Sequence, residues 1–168
     1  MTSLNNNEKY VLIENKVEIC ISKMLNYQRI NNIENNCITN TLFIYELIRE
    51  ILMRYRLNTD VVRIIPIIVV LENNIINAGH LVVQYREQIY ECSYDIFKNR
   101  NNIGFKYFKS IHELFINFKT RDNDKKKMIE LYIHFNTQAT LMNGGKRLIE
   151  TISGEQYLND MRDYVDRC

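Results

Sequence analysis

The order of the hydrophobic patterns along the chain predicts an α+β fold. Of the 168 residues, 46% are hydrophobic and 25% are charged, a balance typical of a globular chain with its own core. Helical spacing dominates both ends of the sequence, whereas Val- and Ile-rich segments lie in the middle. We therefore expect a single domain over residues 1–168, with its core in residues 35–96 and flanking helices over residues 8–25, 122–142 and 154–167.

Two N-terminal helices are predicted from apolar residues that recur every three or four positions. The first extends from Glu8 to about Met24, and the Asn-rich segment over residues 26–36 is expected to form a loop. The second extends from Ile38 to about Tyr55. Its apolar side chains cover most of its circumference, which indicates a central helix buried on more than one side.

The middle of the chain is predicted to form strands. Residues 61–72 are rich in Val and Ile, but Pro66 lacks a backbone donor, so this strand should either lie at an edge or carry a bulge. Residues 80–95 alternate in polarity and predict a hairpin with its bend near residues 86–88. A further strand is expected over residues 104–108.

The C-terminal part is predicted to be helical. A capping-box pattern predicts a short helix over residues 110–118. A longer helix over residues 122–142 has acidic residues at its start and the pair Gly144-Gly145 after its end. A last helix should follow from about residue 154 to the C-terminus.

Charge and hydropathy argue against two classes of partner. The formal net charge is only +2, and the basic cluster Lys125-Lys126-Lys127 fits the solvated start of a helix better than a phosphate-binding patch. The longest apolar run, over residues 64–71, is too short to span a bilayer as a helix. We therefore expect no nucleic-acid binding and no membrane binding.

The N-terminal sequence and the composition suggest where the protein is found. Residues 1–5 have neither the basic nor the apolar region of a secretory signal, so a cytoplasmic protein with free thiols is expected. Asn and Ile dominate the composition, as in AT-rich coding sequences of some large DNA viruses and intracellular parasites. For a viral chain, the host cytoplasm or the virion is the expected location.

Cys37 has the setting of a nucleophile. It stands where the second helix should begin, after the capping residues Asn35 and Asn36. The unpaired N–H groups and partial positive charge of a helix N-terminus favour thiolate over thiol and can stabilise an oxyanion. The alternative is a small core residue, because free Cys is among the most buried residue types. The polar neighbours of Cys37 favour a cleft.

The other cysteines and the other histidines are weaker candidates. Cys20 and Cys92 lie in apolar patterns and are expected in the core, and Cys168 is expected to be an incidental terminal thiol. His112 and His134 have neither CxxC nor HExxH spacing around them, so no metal site is expected.

His80 and Asp95 can supply a base and an orienting acid for Cys37. If Glu87 and Gln88 form a two-residue turn, His80 stands directly opposite Asp95, with Cβ atoms about 5 Å apart on one face. The alternative is a surface pair without a chemical role. A thiol, a histidine and a carboxylate are the parts of an activated cysteine nucleophile.

The order of these residues resembles the transglutaminase-like branch of the papain-like cysteine enzymes. A helix-borne Cys, a strand, and a Gly-His pair opening a hairpin that ends in Asp occur within residues 35–95, and the helix-to-strand passage over residues 54–63 is also similar. The aromatic residue common beside the family's Cys is absent, since Asn36 and Ile38 flank it here. The frequent aromatic residue two positions after the His is replaced by Val82.

The resemblance implies a papain-like core in which the nucleophile helix packs on a small antiparallel sheet, with extra C-terminal helices. It implies Cys37 as nucleophile, His80 as general base and Asp95 as the residue that orients the imidazole. Papain-like enzymes often place an oxyanion-hole side chain upstream of the Cys, which corresponds here to Gln28 or Asn31.

The expected function is that of a cysteine-dependent hydrolase or acyltransferase acting on an amide, an isopeptide or a glutamine side chain. A peptide or protein substrate is expected, with no cofactor and no metal, and the oligomeric state is left open. The alternative is a non-catalytic protein-binding module that keeps the transglutaminase-like fold, and a purely structural domain is a third possibility.

Overall fold

The fold contains a β-sheet that follows two long helices and precedes two more. The computed structural model describes residues 3–70, 76–96, 104–107, 122–148 and 152–167. Within them, the combination of helices with an antiparallel sheet confirms the predicted α+β class. No described helix is both long enough and apolar enough to cross a membrane.

The sheet has four antiparallel strands among the described residues, in the order β3-β2-β1-β4. Strand β1 spans Val62–Val70, β2 spans Ile76–Tyr85, β3 spans Gln88–Tyr90 and β4 spans Gly104–Tyr107. The two inner strands, β1 and β2, are buried by the helices, so most of the apolar core lies against them.

Four α-helices pack with the sheet in the described part of the chain. Helix α1 spans Asn6–Ile30, α2 spans Cys37–Arg54, α3 spans Asp122–Asn143 and α4 spans Ile152–Arg167. Helix α2 contacts β1, β2, α1 and α4, whereas α3 packs against β1 and β2. The two C-terminal helices confirm the helices predicted over residues 122–142 and 154–167.

Helix α1 is longer than the sequence suggested, and part of the predicted loop over residues 26–36 is wrong. The helix begins with a capping box between Asn5 and Glu8 and continues to Ile30. Its buried stripe continues past Met24 to a polar residue, Gln28, which is 1% exposed. Because the last member of the stripe is polar, the apolar pattern ended one turn before the helix did.

Helix α2 is the central helix, as predicted. Four consecutive residues, Leu42–Tyr45, are all buried, which requires packing partners on every side of the helix. One face meets α1 and the sheet while another meets α4. The N-terminus of this enclosed helix is therefore held rigidly relative to β2.

Pro66 lies within β1, at a point where the missing donor is tolerated. It pairs with Leu81 of β2, but the described part of β4 pairs only with residues 67–70 of β1. Because β1 is an inner strand that pairs with both β2 and β4, the expected edge position is wrong. The irregularity in the β1–β2 ladder falls between Val69 and Val70 instead.

The hairpin differs from the predicted register. Tyr85 pairs with Gln88, so the two-residue turn is Arg86-Glu87, one position earlier than expected. Arg86 has a φ of 54°, the left-handed conformation used in tight hairpin turns. The second strand ends at Tyr90, and Asp95 lies in a short 3₁₀ turn, so Asp95 does not face His80 across the sheet.

The end of α3 follows the predicted glycine stop. Gly145 has a φ of 97°, and the backbone N–H of Lys146 donates to the Leu141 carbonyl, as expected for a helix closed by a left-handed residue. The strand predicted over residues 104–108 corresponds to β4. The helix predicted over residues 110–118, with its His112, and the terminal Cys168 lie outside the described residues.

Replacing Asn143 with Ala should destabilise the fold by about 1–3 kcal/mol. The side-chain amide of Asn143 accepts a hydrogen bond from the backbone N–H of Ile64 at 2.7 Å and donates one to its carbonyl at 2.8 Å, so both buried backbone groups would lose their partner. Chemical denaturation measures the free energy of unfolding. Asn136→Ala, at an exposed position on the same helix, is the control; equal losses in both variants would contradict this role.

Candidate active site

Cys37 is the first residue of α2, and the start of that helix is open. The preceding residue, Asn36, makes no side-chain cap; its amide donates instead to the carbonyl of Glu34 at 3.1 Å. The first N–H groups of a helix have no partner within the helix, so they remain available at the start of α2. The positive end of the helix therefore lies at the Cys37 sulfur.

His80 lies on β2, and its side chain is almost completely enclosed. The residue is only 3% exposed. Its Nε2 lies 2.7 Å from Oε2 of Glu91, a residue in the segment that follows β3. A buried imidazole in contact with a buried carboxylate forms a strong charge-assisted hydrogen bond when it is protonated.

Cys37 and His80 line the same cleft, and Cys37 acts on the pKa of the imidazole. Burial by itself would lower the pKa of His80, but hydrogen bonds to Cys37 and Glu91, together with their negative charge, raise it from 6.5 to about 9. The imidazole is therefore protonated at neutral pH. Because Glu91 holds Nε2, the other nitrogen, Nδ1, is the one that can meet the sulfur.

Glu91 is held in place by a second donor. The backbone N–H of Ser93 donates to the same oxygen, Oε2, at 3.1 Å. The other oxygen, Oε1, is buried and makes no hydrogen bond among the described residues. Both donors to the carboxylate thus converge on the oxygen that faces His80.

Asp95 does not have the expected position beside His80. Its Oδ2 accepts a hydrogen bond from the backbone N–H of Asn35 at 3.0 Å, in the loop that leads into α2. Asn35 has a φ of 58°, so Asp95 fixes a left-handed residue two positions before Cys37. The expected pairing of His80 with Asp95 is wrong, because the chain leaves the sheet after Tyr90.

Glu91 is the residue that sequence reasoning missed. The sequence did contain a signal for Glu91. Residues two apart on a strand lie on the same face, so Glu91 belongs to the face of Ser93 and Asp95, which were expected to lie beside His80. An acid four residues earlier in the same segment takes the place that was assigned to Asp95.

Gln28 and Asn31 have structural roles in place of the oxyanion-hole role that we expected. The Gln28 amide donates to the Cys92 carbonyl at 2.8 Å and accepts from the Tyr94 N–H at 2.8 Å, so both ends of this amide are engaged. Asn31 is the C-cap of α1 and its side chain donates to the carbonyl of Tyr27 at 2.8 Å.

Cys37 and His80 open into a cleft of about 580 Å³. Helix α3 forms the wall opposite the start of α2, with Phe135 packed so closely over Gly79 that a Cβ there would collide with the ring. The described residues that line the cleft combine apolar, basic and acidic groups: Asn35, Asn36, Cys37, Ile38, Thr39, Gly79, His80, Asp95, Ile96, Lys127, Leu131, His134, Phe135 and Leu148.

A larger cleft, of about 670 Å³, lies elsewhere on the molecule, near the β2–β3 turn. Its described lining is polar and charged and includes Arg63 and Arg86, but it contains neither a thiol nor an imidazole. The smaller cleft is therefore the candidate active site, because it brings together a nucleophile, a base and a helix N-terminus.

The other described cysteines lack these features. Cys92 is fully buried, as predicted, and burial raises the pKa of its thiol well above the ordinary value. Burial also raises the pKa of Cys20, which lies half-buried on α1. Neither thiol is beside a histidine in the described contacts.

The chain matches no protein-family model and no curated protein, and its fold matches no solved structure. The chemistry of the site is therefore inferred from its own side chains.

Glu91→Gln should lower the pKa of His80 from about 9 toward 6.5, because the negative charge beside Nε2 is removed. Asp95→Asn is the matched control, since Asp95 contacts the loop before Cys37 and not the imidazole. NMR titration of the histidine ring nitrogens measures both values, with the His80 signals assigned by substitution. A lower value in Asp95→Asn together with an unchanged one in Glu91→Gln would show that Asp95 is the partner.

Proposed function

We propose that this protein is a cysteine-dependent hydrolase or acyltransferase, with Cys37 as nucleophile, His80 as acid and base, and Glu91 as the residue that orients the imidazole. One observation carries the proposal. Cys37, the first residue of α2, lines the same cleft as His80, and the His80 imidazole is held by Glu91 at 2.7 Å.

The reaction starts from the thiolate form of Cys37 beside a protonated His80. The raised pKa of His80 keeps its ring protonated at neutral pH, and the positive end of α2 favours the negative charge on sulfur. Glu91 balances the imidazolium from the opposite side. The thiolate is the nucleophilic form of cysteine, so it is the form in which Cys37 attacks.

Acylation begins when the Cys37 sulfur attacks a carbonyl carbon. A C–S bond forms, and the electron pair of the C=O bond moves to oxygen. The uncapped N–H groups at the start of α2 are oriented to donate to that oxyanion. His80 then gives its Nδ1 proton to the leaving nitrogen, the C–N bond breaks, and an amine departs from a thioester on Cys37.

In deacylation His80 acts as the base, and the Cys37 sulfur is the leaving group. Neutral His80 takes a proton from water or from an acceptor amine as its oxygen or nitrogen adds to the thioester carbonyl. The tetrahedral species collapses, the C–S bond breaks, and the Cys37 thiolate is restored beside protonated His80. Water gives hydrolysis or deamidation, whereas an amine gives transfer.

The resemblance to transglutaminase-like enzymes supports a substrate with an amide, an isopeptide or a glutamine side chain. In that comparison Glu91 takes the place of the family's aspartate. The cleft volume of about 580 Å³ suits a short segment of peptide better than a whole folded surface. We infer that the substrate is a peptide or an exposed segment of a protein, held in a papain-like core.

Cys37→Ala should remove at least about 10³-fold of the activity toward a panel of peptide, isopeptide and glutamine substrates, because no other described thiol lies beside a histidine. Cys37→Ser should be nearly as inactive, since an alcohol is a weaker nucleophile at this site. Cys20→Ala is the matched control and should retain full activity.

Iodoacetamide alkylation tests the same proposal without a known substrate. Cys37 should react faster at pH 7 than the other cysteines, as followed by peptide mass spectrometry. If Cys37 reacts no faster than Cys20 and no substrate is turned over, the non-catalytic binding module is the better explanation.

The activity should fall as the pH rises through about 9, because His80 must be protonated to release the leaving amine and loses that proton there. Below that pH the imidazolium is present, so the basic limb of the profile reports His80. Rates on an amide substrate measured from pH 6 to 10.5 give the profile, and Glu91→Gln should shift the basic limb to lower pH. A limb that does not move in Glu91→Gln would contradict the role of His80 as the acid.

A further inference from the structure

A chain of buried hydrogen bonds connects α4 to the site. The Tyr157 hydroxyl donates to Oδ1 of Asn40 at 2.5 Å, and Nδ2 of Asn40 donates to Oγ of Ser93 at 3.0 Å. The backbone N–H of Ser93 then donates to the oxygen of Glu91 that contacts His80. These hydrogen bonds connect α4, α2, the segment after β3 and β2 through side chains and the backbone N–H of Ser93.

We propose that Tyr157, Asn40 and Ser93 are positioning residues that fix the Glu91 carboxylate against His80. The role rests on the proposed function, because it concerns the orientation of the base in that reaction. It adds to the site three residues that do not touch the Cys37 sulfur in the described contacts.

Burial restricts the side chains that form these hydrogen bonds. Asn40 is 1% exposed and Ser93 is fully buried, so a broken link would leave a polar atom without a partner. Asn40 must present its oxygen to Tyr157 and its nitrogen to Ser93. The Tyr157 hydroxyl thus determines which way the Asn40 amide points.

Tyr157 is suited to be a permanent donor. Burial raises the pKa of its hydroxyl well above the ordinary value of 10.0, and the nearby Tyr27 and Asp95 raise it further. The hydroxyl therefore stays protonated throughout the pH range of the reaction. Its contact with the Met161 sulfur, at 3.6 Å, is much longer than the 2.5 Å contact with Asn40, so the proton points to Asn40.

A second support holds the backbone on both sides of Ser93. Gln28 donates to the carbonyl of Cys92 and accepts from the N–H of Tyr94. These bonds fix the peptide groups that flank Ser93, whereas Asn40 fixes its side chain. The direction of the Ser93 N–H toward Glu91 is consequently set by α1 and α2 together.

Breaking one of these hydrogen bonds should change the pKa of His80 only through Glu91. Among the described residues, the titratable groups that act on the pKa of His80 are Cys37 and Glu91. The other titratable groups described around the cleft are Asp95, Lys127 and His134. Of these, Asp95 is the one whose charge also acts on Tyr157.

Tyr157→Phe is the test, because it removes the hydroxyl and keeps the ring. It should lower the pKa of His80 by about 0.5 or more and reduce kcat about tenfold with little change in KM, since the imidazole is held less firmly. Tyr164→Phe is the matched control on the same helix. Its hydroxyl bonds to Asn26 and its ring also packs on Tyr27, but it has no described link to Glu91.

A double-mutant cycle separates positioning from general stability. In a Glu91→Gln background, Tyr157→Phe should leave the pKa of His80 unchanged, because the connecting carboxylate is already lost. Equal shifts with and without Glu91 would overturn the proposal. Ser93→Ala provides a second route if Tyr157→Phe does not fold, and it should lower the pKa of His80 in the same direction.

The pKa of His80 tests the positioning role of Tyr157, whereas the reactivity of Cys37 tests the proposed catalytic function. If Tyr157→Phe lowers the pKa of His80 while Cys37 shows no enhanced reactivity, the positioning role stands and the catalytic proposal fails. If Cys37 is reactive and Tyr157→Phe matches both wild type and Tyr164→Phe in the pKa of His80, the positioning role fails alone.

Discussion

A charged imidazole inside a protein needs a carboxylate beside it, and this requirement organises the centre of the molecule. His80 is 3% exposed, and Glu91 is the carboxylate that meets it. Without Glu91 the buried imidazole would lose its proton more readily, because burial disfavours the charged form. To deliver the carboxylate, the chain must leave the sheet at Tyr90, immediately before Glu91.

After Tyr90 the chain leaves the sheet, so the backbone N–H and C=O groups that follow have no partners on a neighbouring strand. Side chains must form hydrogen bonds with these groups instead. Gln28 supplies both a donor and an acceptor, to the Cys92 carbonyl and the Tyr94 N–H. Asp95 in turn accepts from the Asn35 N–H. The bonds that satisfy the irregular segment are thus also the bonds that place it against α1 and against the loop before α2. The hydrogen bonds that satisfy the backbone of this segment therefore also hold the residues of the site in place.

The sequence allowed prediction of the helices and of Cys37 at a helix start, because a repeated stripe of apolar residues and a change from polar to apolar residues are local signals. It did not determine the hairpin register, since the alternation around His80 is compatible with turns one residue apart. Only the left-handed conformation of Arg86 selects between them. The exchange of Asp95 for Glu91 follows from the end of β3 at Tyr90, and the role of Gln28 depends on contacts between residues far apart in the chain, which no local pattern encodes.

Two acidic residues of the same segment, Glu91 and Asp95, contribute to the site where the sequence predicted Asp95 alone. Glu91, with the longer side chain, reaches the imidazole, whereas Asp95 holds the backbone that leads into Cys37. Both acids belong to the irregular segment that Gln28 ties to α1. The spacing between the acids therefore sets the distance between the base and the nucleophile helix. A cysteine and a histidine from distant parts of the chain are held in register by one short segment, and side chains of α1 and α2, Gln28 and Asn40, hold that segment.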